Sequence, residues 1–139
     1  MDVPGPAPWL TCAGRSDMSH RLTYDPDSDC LVLRIRGKVT IELIRELAPQ
    51  VGRMFEETGC RRLLNDMSAA TIDISVTDLF TSPKIMDDSG VGRNTRRALV
   101  VSREFEESGF LENVTRNRGH NFRAFVNIKE AKQWLLSGE

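Results

Sequence analysis

The sequence predicts a single α/β domain, with a mostly parallel mixed sheet of about five strands and four helices. Three observations point there. After an opening pair of strand-like segments, each apolar run is followed by a helix-like stretch, in the order β-β-α-β-α-β-α-β-α. That alternation builds a parallel sheet with right-handed crossovers. The run Ala98, Leu99, Val100 and Val101 is apolar without interruption, as in a strand covered on both faces. The 139 residues suffice for one domain with a real core and are too few for two.

Residues 1–17, MDVPGPAPWLTCAGRSD, hold three prolines and no periodicity, the composition of a flexible leader. The domain is expected over 18–139, with Met18 an alternative start to Met1 and with Trp9 and Leu10 available to dock on it. HRLTYD (20–25) and CLVLRIRG (30–37) read as a hairpin. In the second segment Leu31, Leu33 and Ile35 alternate with Val32, Arg34 and Arg36. Pro26 and the Asp/Ser residues after it supply the turn.

Thr40 is placed to cap a helix over 41–57, where Ile44, Leu47, Val51, Met54 and Phe55 form one apolar stripe. Pro49 removes a backbone donor inside it, so a kink or a break into two pieces is expected. Gly59 is the stop signal. RRLLNDM (61–67) is a short strand, followed by AATI (69–72) as a loop. SVTDLFTSPKIMDD (75–88) is a second helical stretch, containing Pro83. RRALVVS (96–102) is the next strand. Ser102 is expected to cap a third helix ending at Gly119, with Glu104, Glu106 and Glu107 near its positive end. FRAFV (122–126) is the last strand. Asn127 and Glu130 form a near capping box for a final helix carrying Ala131, Trp134 and Leu135.

Composition excludes several function classes. The net charge of −1 gives no global field toward nucleic acid or anionic lipid. No apolar run approaches the roughly 20 residues of a membrane span, so an integral membrane protein is not expected. No secretory signal pattern opens the chain. Cys12, Cys30 and Cys60 are odd in number and lack metal-ligand spacing; with His20 and His120 as the only histidines, they form no zinc motif. Reduced thiols in a cytoplasmic protein are the expectation. No nucleophile–base pair, metal constellation or cofactor motif supports an enzyme. GVGRNTRR (90–97), with Arg93, Arg96 and Arg97, is not a phosphate loop, because such a loop ends in Gly-Lys-Ser/Thr and opens a helix, whereas a strand follows here.

The order of elements, with LVLRIRGKVT, CRRLLNDMSAATI, RRALVVS and NFRAFVNIKEAKQWL, resembles the SpoIIAA-like family of the STAS superfamily over about residues 21–136. STAS domains are mainly non-enzymatic. The resemblance implies a regulatory or protein-binding module. Well-studied members are anti-sigma factor antagonists that bind a kinase partner and are switched by serine phosphorylation. The SpoIIAA-like branch has also been likened to small Sec14-type lipid-binding domains, which implies a small-molecule or lipid carrier as the alternative. Self-association is a further implication.

In the family, a strand ending Asp-Leu-Ser leads to Asp-Ser-Ser-Gly, whose second serine is the phosphoacceptor. Here Asp66-Met67-Ser68 matches the strand end. With a one-residue gap, Asp73 takes the motif's aspartate and Ser75 the phosphoacceptor position, while Ile74 replaces the first serine and Val76 the glycine. The implied partner-binding loop comprises Asp66, Ser68, Asp73, Ser75 and Asp78. Independently of the family, SVTD matches the Ser-x-x-Asp opening of a helix. Such an N-terminus offers free donors and a positive dipole end to a phosphate. The plainer role of Ser75 is a neutral N-cap contributing about 1 kcal/mol.

MDDSGVG (86–92) spells the phosphorylation motif more closely than the letters around Ser75. Its position is wrong, because it follows the second helical stretch and precedes a strand. Ser89 and Gly90 therefore read as a helix stop. Asp66 and Asp73 could hold a cation, but two carboxylates without further ligands more often serve turns. TRNRGHNFR gathers Arg116, Arg118, His120 and Arg123 as a candidate anion site, with His120 read as a turn residue. The simpler role of that cluster is to complement a helix C-terminus. Phe80, Met86, Phe105, Phe110 and Trp134 are candidate pocket residues for an apolar ligand, and equally ordinary core positions.

Overall fold

The computed structural model describes residues 10–11, 19–91 and 94–137. Its elements are β1 Leu10–Thr11, β2 Ser19–Asp25, β3 Cys30–Val39, α1 Ile41–Thr58, β4 Arg62–Met67, β5 Ala70–Ile72, α2 Val76–Asp88, β6 Arg96–Val101, α3 Ser108–Asn117, β7 Asn121–Phe125 and α4 Ile128–Leu136. The strands lie in the order β1-β2-β3-β4-β6-β7, and β5 pairs with the far end of β3. The β1-β2-β3 pairs are antiparallel and the remaining neighbours are parallel. Of the residues read as a leader, Leu10–Thr11 add to the edge of β2. The other leader residues lie outside the described ones.

Alternation along the strands divides the core into two layers. On one face Leu31, Leu33, Ile35, Leu63, Leu99 and Phe122 pack with Leu43, Leu47, Val51 and Phe55 of α1, joined by Met86 of α2 and Leu111 of α3. On the other, Cys30, Leu64, Ala98 and Val100 pack with Ala131 and Leu135 of α4. The apolar run of β6 thus serves both layers, with every residue from Arg96 to Val101 buried. The thiols of Cys30 and Cys60 are free and buried. Burial, the largest cause, pushes the Cys30 thiol up to about 11.

The caps follow the sequence chemistry. Thr40 accepts a hydrogen bond from Leu43 N–H, and Asn127 from Lys129 N–H and Glu130 N–H. Gly59 and Gly90 take positive φ of 72° and 84° just past α1 and α2, a conformation glycine adopts without steric cost. Arg62 and Arg96 supply an end cap that the sequence did not disclose. The Arg62 Nε–H donates to Leu135 O at 3.1 Å, and Arg96 donates from Nε and Nη2 to Trp134 O at 3.1 and 2.7 Å. Both side chains therefore place positive charge at the negative end of α4.

Three local expectations are corrected. The AATI loop contains β5. β3 runs two residues past its expected end to Val39, and its extra backbone groups pair with residues 70–72, as unsatisfied peptide groups require. Of the two outcomes expected at Pro49, the break does not occur: α1 is one helix from Ile41 to Thr58, with seven residues buried. α3 begins at Ser108 and not beside Ser102. Ser102 Oγ accepts from Glu104 N–H at 3.3 Å and its carbonyl from Phe105 N–H at 3.1 Å. Such local bonding closes a turn in place of a helix start.

Candidate functional site

The first candidate region is the corner from β4 into α2. Asp66, next to last in β4, has Oδ1 accepting from Ser68 N–H at 3.1 Å and from Ser68 Oγ–H at 2.7 Å. Its Oδ2 lies 3.6 Å from Arg34 Nε. Asp73 is exposed and lies 3.5 Å from Lys38 Nζ. Each carboxylate thus has its own basic neighbour. Among the described residues no group of three or more His, Cys, Asp or Glu is arranged to hold a metal.

Ser75 is exposed at the N-cap of α2, its Oγ accepting from Asp78 N–H at 3.1 Å. Ile74 turns inward against the larger core layer. Val76 and Phe80, one helical turn apart, stand 53% and 56% exposed. The two residues that the resemblance sets opposite the motif's first serine and glycine are placed oppositely. Ile74 anchors the loop, and Val76 adds an apolar side chain beside Ser75.

Ser89, in the motif-like stretch, is the C-cap residue of α2, with Oγ–H donating back to Ile85 O at 2.8 Å. Its carbonyl faces Gly52 of α1 so closely that a Cβ there would lie 2.0 Å from the oxygen. It is a helix stop wedged against α1.

The four residues of the proposed anion cluster are not brought together. Arg116 lies on α3, 3.8 Å from Glu112. Arg123 pairs in register with Ala98 and so points to the α4 face of the sheet. Its guanidinium lies 5.4 Å from the Phe125 ring centre. Arg118 is exposed at the end of α3. His120 turns inward, 4% exposed. The sequence places these residues near one another, but strand pleating and the α3 turn aim them in different directions.

His120 belongs to a buried chain instead. Arg97 Nη2 donates to His120 Nδ1, and His120 Nε2 lies 3.1 Å from Asp87 Oδ1. Arginine only donates, so Nδ1 must accept, which puts the imidazole proton on Nε2, facing the aspartate. Burial, the larger cause, pulls the Arg97 guanidinium down to about 10, while the Asp87 charge opposes the fall. The sequence reading placed Arg97 at the head of the strand 96–102 and at the end of the basic segment GVGRNTRR, and named no partner for it. Its signal was the break it makes, beside Arg96, at the head of an otherwise apolar strand.

Arg97 also lines a cavity of about 70 Å³ between the sheet and the helices. Ile44 of α1, Leu79, Pro83 and Met86 of α2, and Leu111 of α3 wall it, with Asn65 and Arg97 on the sheet side. Of the apolar residues expected to share a pocket, only Met86 lines this one. Phe80 and Phe110 are exposed, Phe105 packs on the larger core layer, and Trp134 of α4 packs on the opposite face of the sheet. Among the described residues, no helix is long and apolar enough to cross a membrane.

No protein-family model matches the sequence, and no curated protein matches it. Solved structures do match. An uncharacterized protein of the DUF3478 family with a SpoIIAA-like fold, from Shewanella loihica, aligns at a TM-score of 0.57 and 18% identity, covering 91% of this chain and 99% of its own. An anti-sigma factor antagonist from Mycobacterium paratuberculosis aligns at 0.59 and 14% identity, covering 91% and 98%. The mixed sheet, the four helices and these alignments give one conclusion: the chain has a SpoIIAA-like fold.

Proposed function

We propose that this domain is a non-catalytic regulatory or protein-binding module. Its working surface is the corner formed by Asp66, Ser68, Asp73, Ser75 and Asp78. The observation that carries the reading is the exposed Ser75 hydroxyl at the start of α2, flanked by exposed Val76 and Phe80. An apolar pair beside a modifiable hydroxyl suits a protein partner whose docking a charge can gate. Phosphate on Ser75 would meet the positive end of α2 and the nearby carboxylates of Asp73 and Asp78. The dipole favours it and the carboxylates repel it, so the modification changes the field of this corner without demanding a new fold. The resemblance to an anti-sigma factor antagonist supports a protein partner. A cytoplasmic setting suits the free thiols.

Incubation with extract from the native cells followed by intact-mass measurement tests the switch. One added phosphate is expected, absent in Ser75→Ala. A phosphate that persists in Ser75→Ala sinks the assignment. Affinity capture should retrieve a protein partner that Phe80→Ser releases.

The apolar cavity beneath α2 favours a second reading, a small-molecule carrier. Its test is native mass spectrometry of protein purified from cells, which should show bound ligand.

A further inference from the structure

We propose that the cavity beneath α2 binds a short-chain carboxylate, with Arg97 and Asn65 gripping the anion and the helices enclosing its apolar body. The proposal deepens the carrier reading and rests on it, while the reading of the Ser75 corner does not depend on it.

Two polar groups in the cavity have unfilled hydrogen-bonding capacity. Arg97 is 4% exposed. Its Nη2 is engaged by His120, but its buried Nε–H has no hydrogen-bond partner among the described residues. The buried Oδ1 of Asn65 likewise has none. An unmade hydrogen bond on a buried charged group is costly, so a complementary ligand atom is favoured there. The strand register makes the two residues diagonal neighbours on one sheet face, since Leu63 pairs with Arg97 and Asn65 with Leu99. Half a turn of the Asn65 amide presents its N–H beside the Arg97 Nε–H, two donors for one carboxylate.

Charge and size narrow the class. Asp87 partly balances Arg97 through His120, but the Asp87 side chain is 36% exposed and shares its charge with water. A monoanion completes the buried end of that chain. A phosphate dianion would leave a second charge against Leu79, Met86 and Leu111 without a partner. The volume of about 70 Å³ is roughly half the 150 Å³ that accommodates benzene in an apolar protein cavity. Acetate and propionate, both smaller than benzene, are the carboxylates nearest this size, and butyrate, with as many heavy atoms as benzene, exceeds it.

The test is an amide-resonance NMR titration of the whole chain with acetate, propionate, butyrate, hexanoate and dodecanoate, and with propionamide as the neutral counterpart of propionate. Saturable shifts are expected at Leu79, Met86 and Phe122, tightest for acetate and propionate. Propionamide should bind about tenfold or more weakly than propionate, the loss of one hydrogen bond to a charged group. Arg97→Met should abolish the preference for carboxylate. If that variant does not fold, Leu111→Phe, which narrows the cavity while keeping the Arg97 guanidinium, should block binding while leaving a dispersed spectrum. Propionamide binding as tightly as propionate overturns the anion site and leaves the carrier reading standing. Tightest binding by dodecanoate moves the carboxylate onto a fatty acid and overturns the short-chain class. No saturable shift with any ligand, the result for a cavity that only water fills, overturns both.

Discussion

Helices α1 and α2 pack against each other on one side of the sheet. Each opens on a hydroxyl N-cap, Thr40 or Ser75, and each carries an internal proline. Their packing differs sharply. α1 buries seven residues along one stripe, whereas α2 buries only Leu79 and Pro83. The cavity lies under α2, and Val76 and Phe80 stand exposed on it. Similar local chemistry has thus produced a structural helix and a helix free to contact something else. In proteins, elements with few buried apolar contacts open locally at lower free energy. Binding surfaces are drawn from that population, and this fold places both functional proposals on the same helix.

Four substitutions probe that contrast, from the largest effect to the smallest. Phe55→Ala, in the α1 stripe, should cost about 3–5 kcal/mol in chemical denaturation. A cost below about 1 kcal/mol would mean that α1 is no better anchored than α2. Gly52→Ala places its methyl against Ser89 O. It should destabilise by about 1–3 kcal/mol, because backbone on both sides must separate. A neutral result would show that the end of α2 shifts freely, which sharpens the contrast further. Ser75→Ala should cost about 1 kcal/mol through loss of the cap alone. Phe80→Ser should stay within about 0.5 kcal/mol of the parent, since it is an exposed position. Hydrogen exchange completes the comparison: α2 amides should exchange at lower protection than those of α1, and equal protection would contradict the picture of a loosely held α2.

Much of this fold was legible because its signals are local. Thr40, Ser75 and Asn127 are hydroxyl or amide oxygens placed just before apolar periodicity, and each caps its helix. Gly59 and Gly90 mark stops because the left-handed conformation after a helix suits them. The letters around Ser89 matched a functional motif, yet their place between a helix and a strand identified them as a stop, and the Gly52 contact agrees. The misplaced start of α3 has a local cause too. Ser102 has the chemistry of either a cap or a turn, and which it makes depends on where Phe105 is pulled by the core.

The candidate sites were legible only in part. Ser75 was located because helix capping is a property of neighbouring residues. The Arg97–His120–Asp87 chain was not, because its members are separated by 10 and 23 positions and meet only when β6, β7 and the end of α2 come together. The apparent cluster Arg116, Arg118, His120 and Arg123 shows the reverse error. Closeness along the chain is not closeness in space when one residue lies on a helix, one is buried, and another points through the pleat to the opposite face.

By itself, the sequence determined the alternation of strands and helices, the two-sided burial of β6, the caps at Thr40, Ser75 and Asn127 and the stops at Gly59 and Gly90. These follow from periodicity and from bonds made within a few residues. Only the tertiary structure decided that β5 extends the sheet, that α1 survives Pro49, that Arg62 and Arg96 hold the end of α4, and that Arg97 lines an apolar cavity with an unfilled donor. Each of these depends on which distant groups exclude water from a given polar atom, and that is settled by packing rather than by neighbours in the chain.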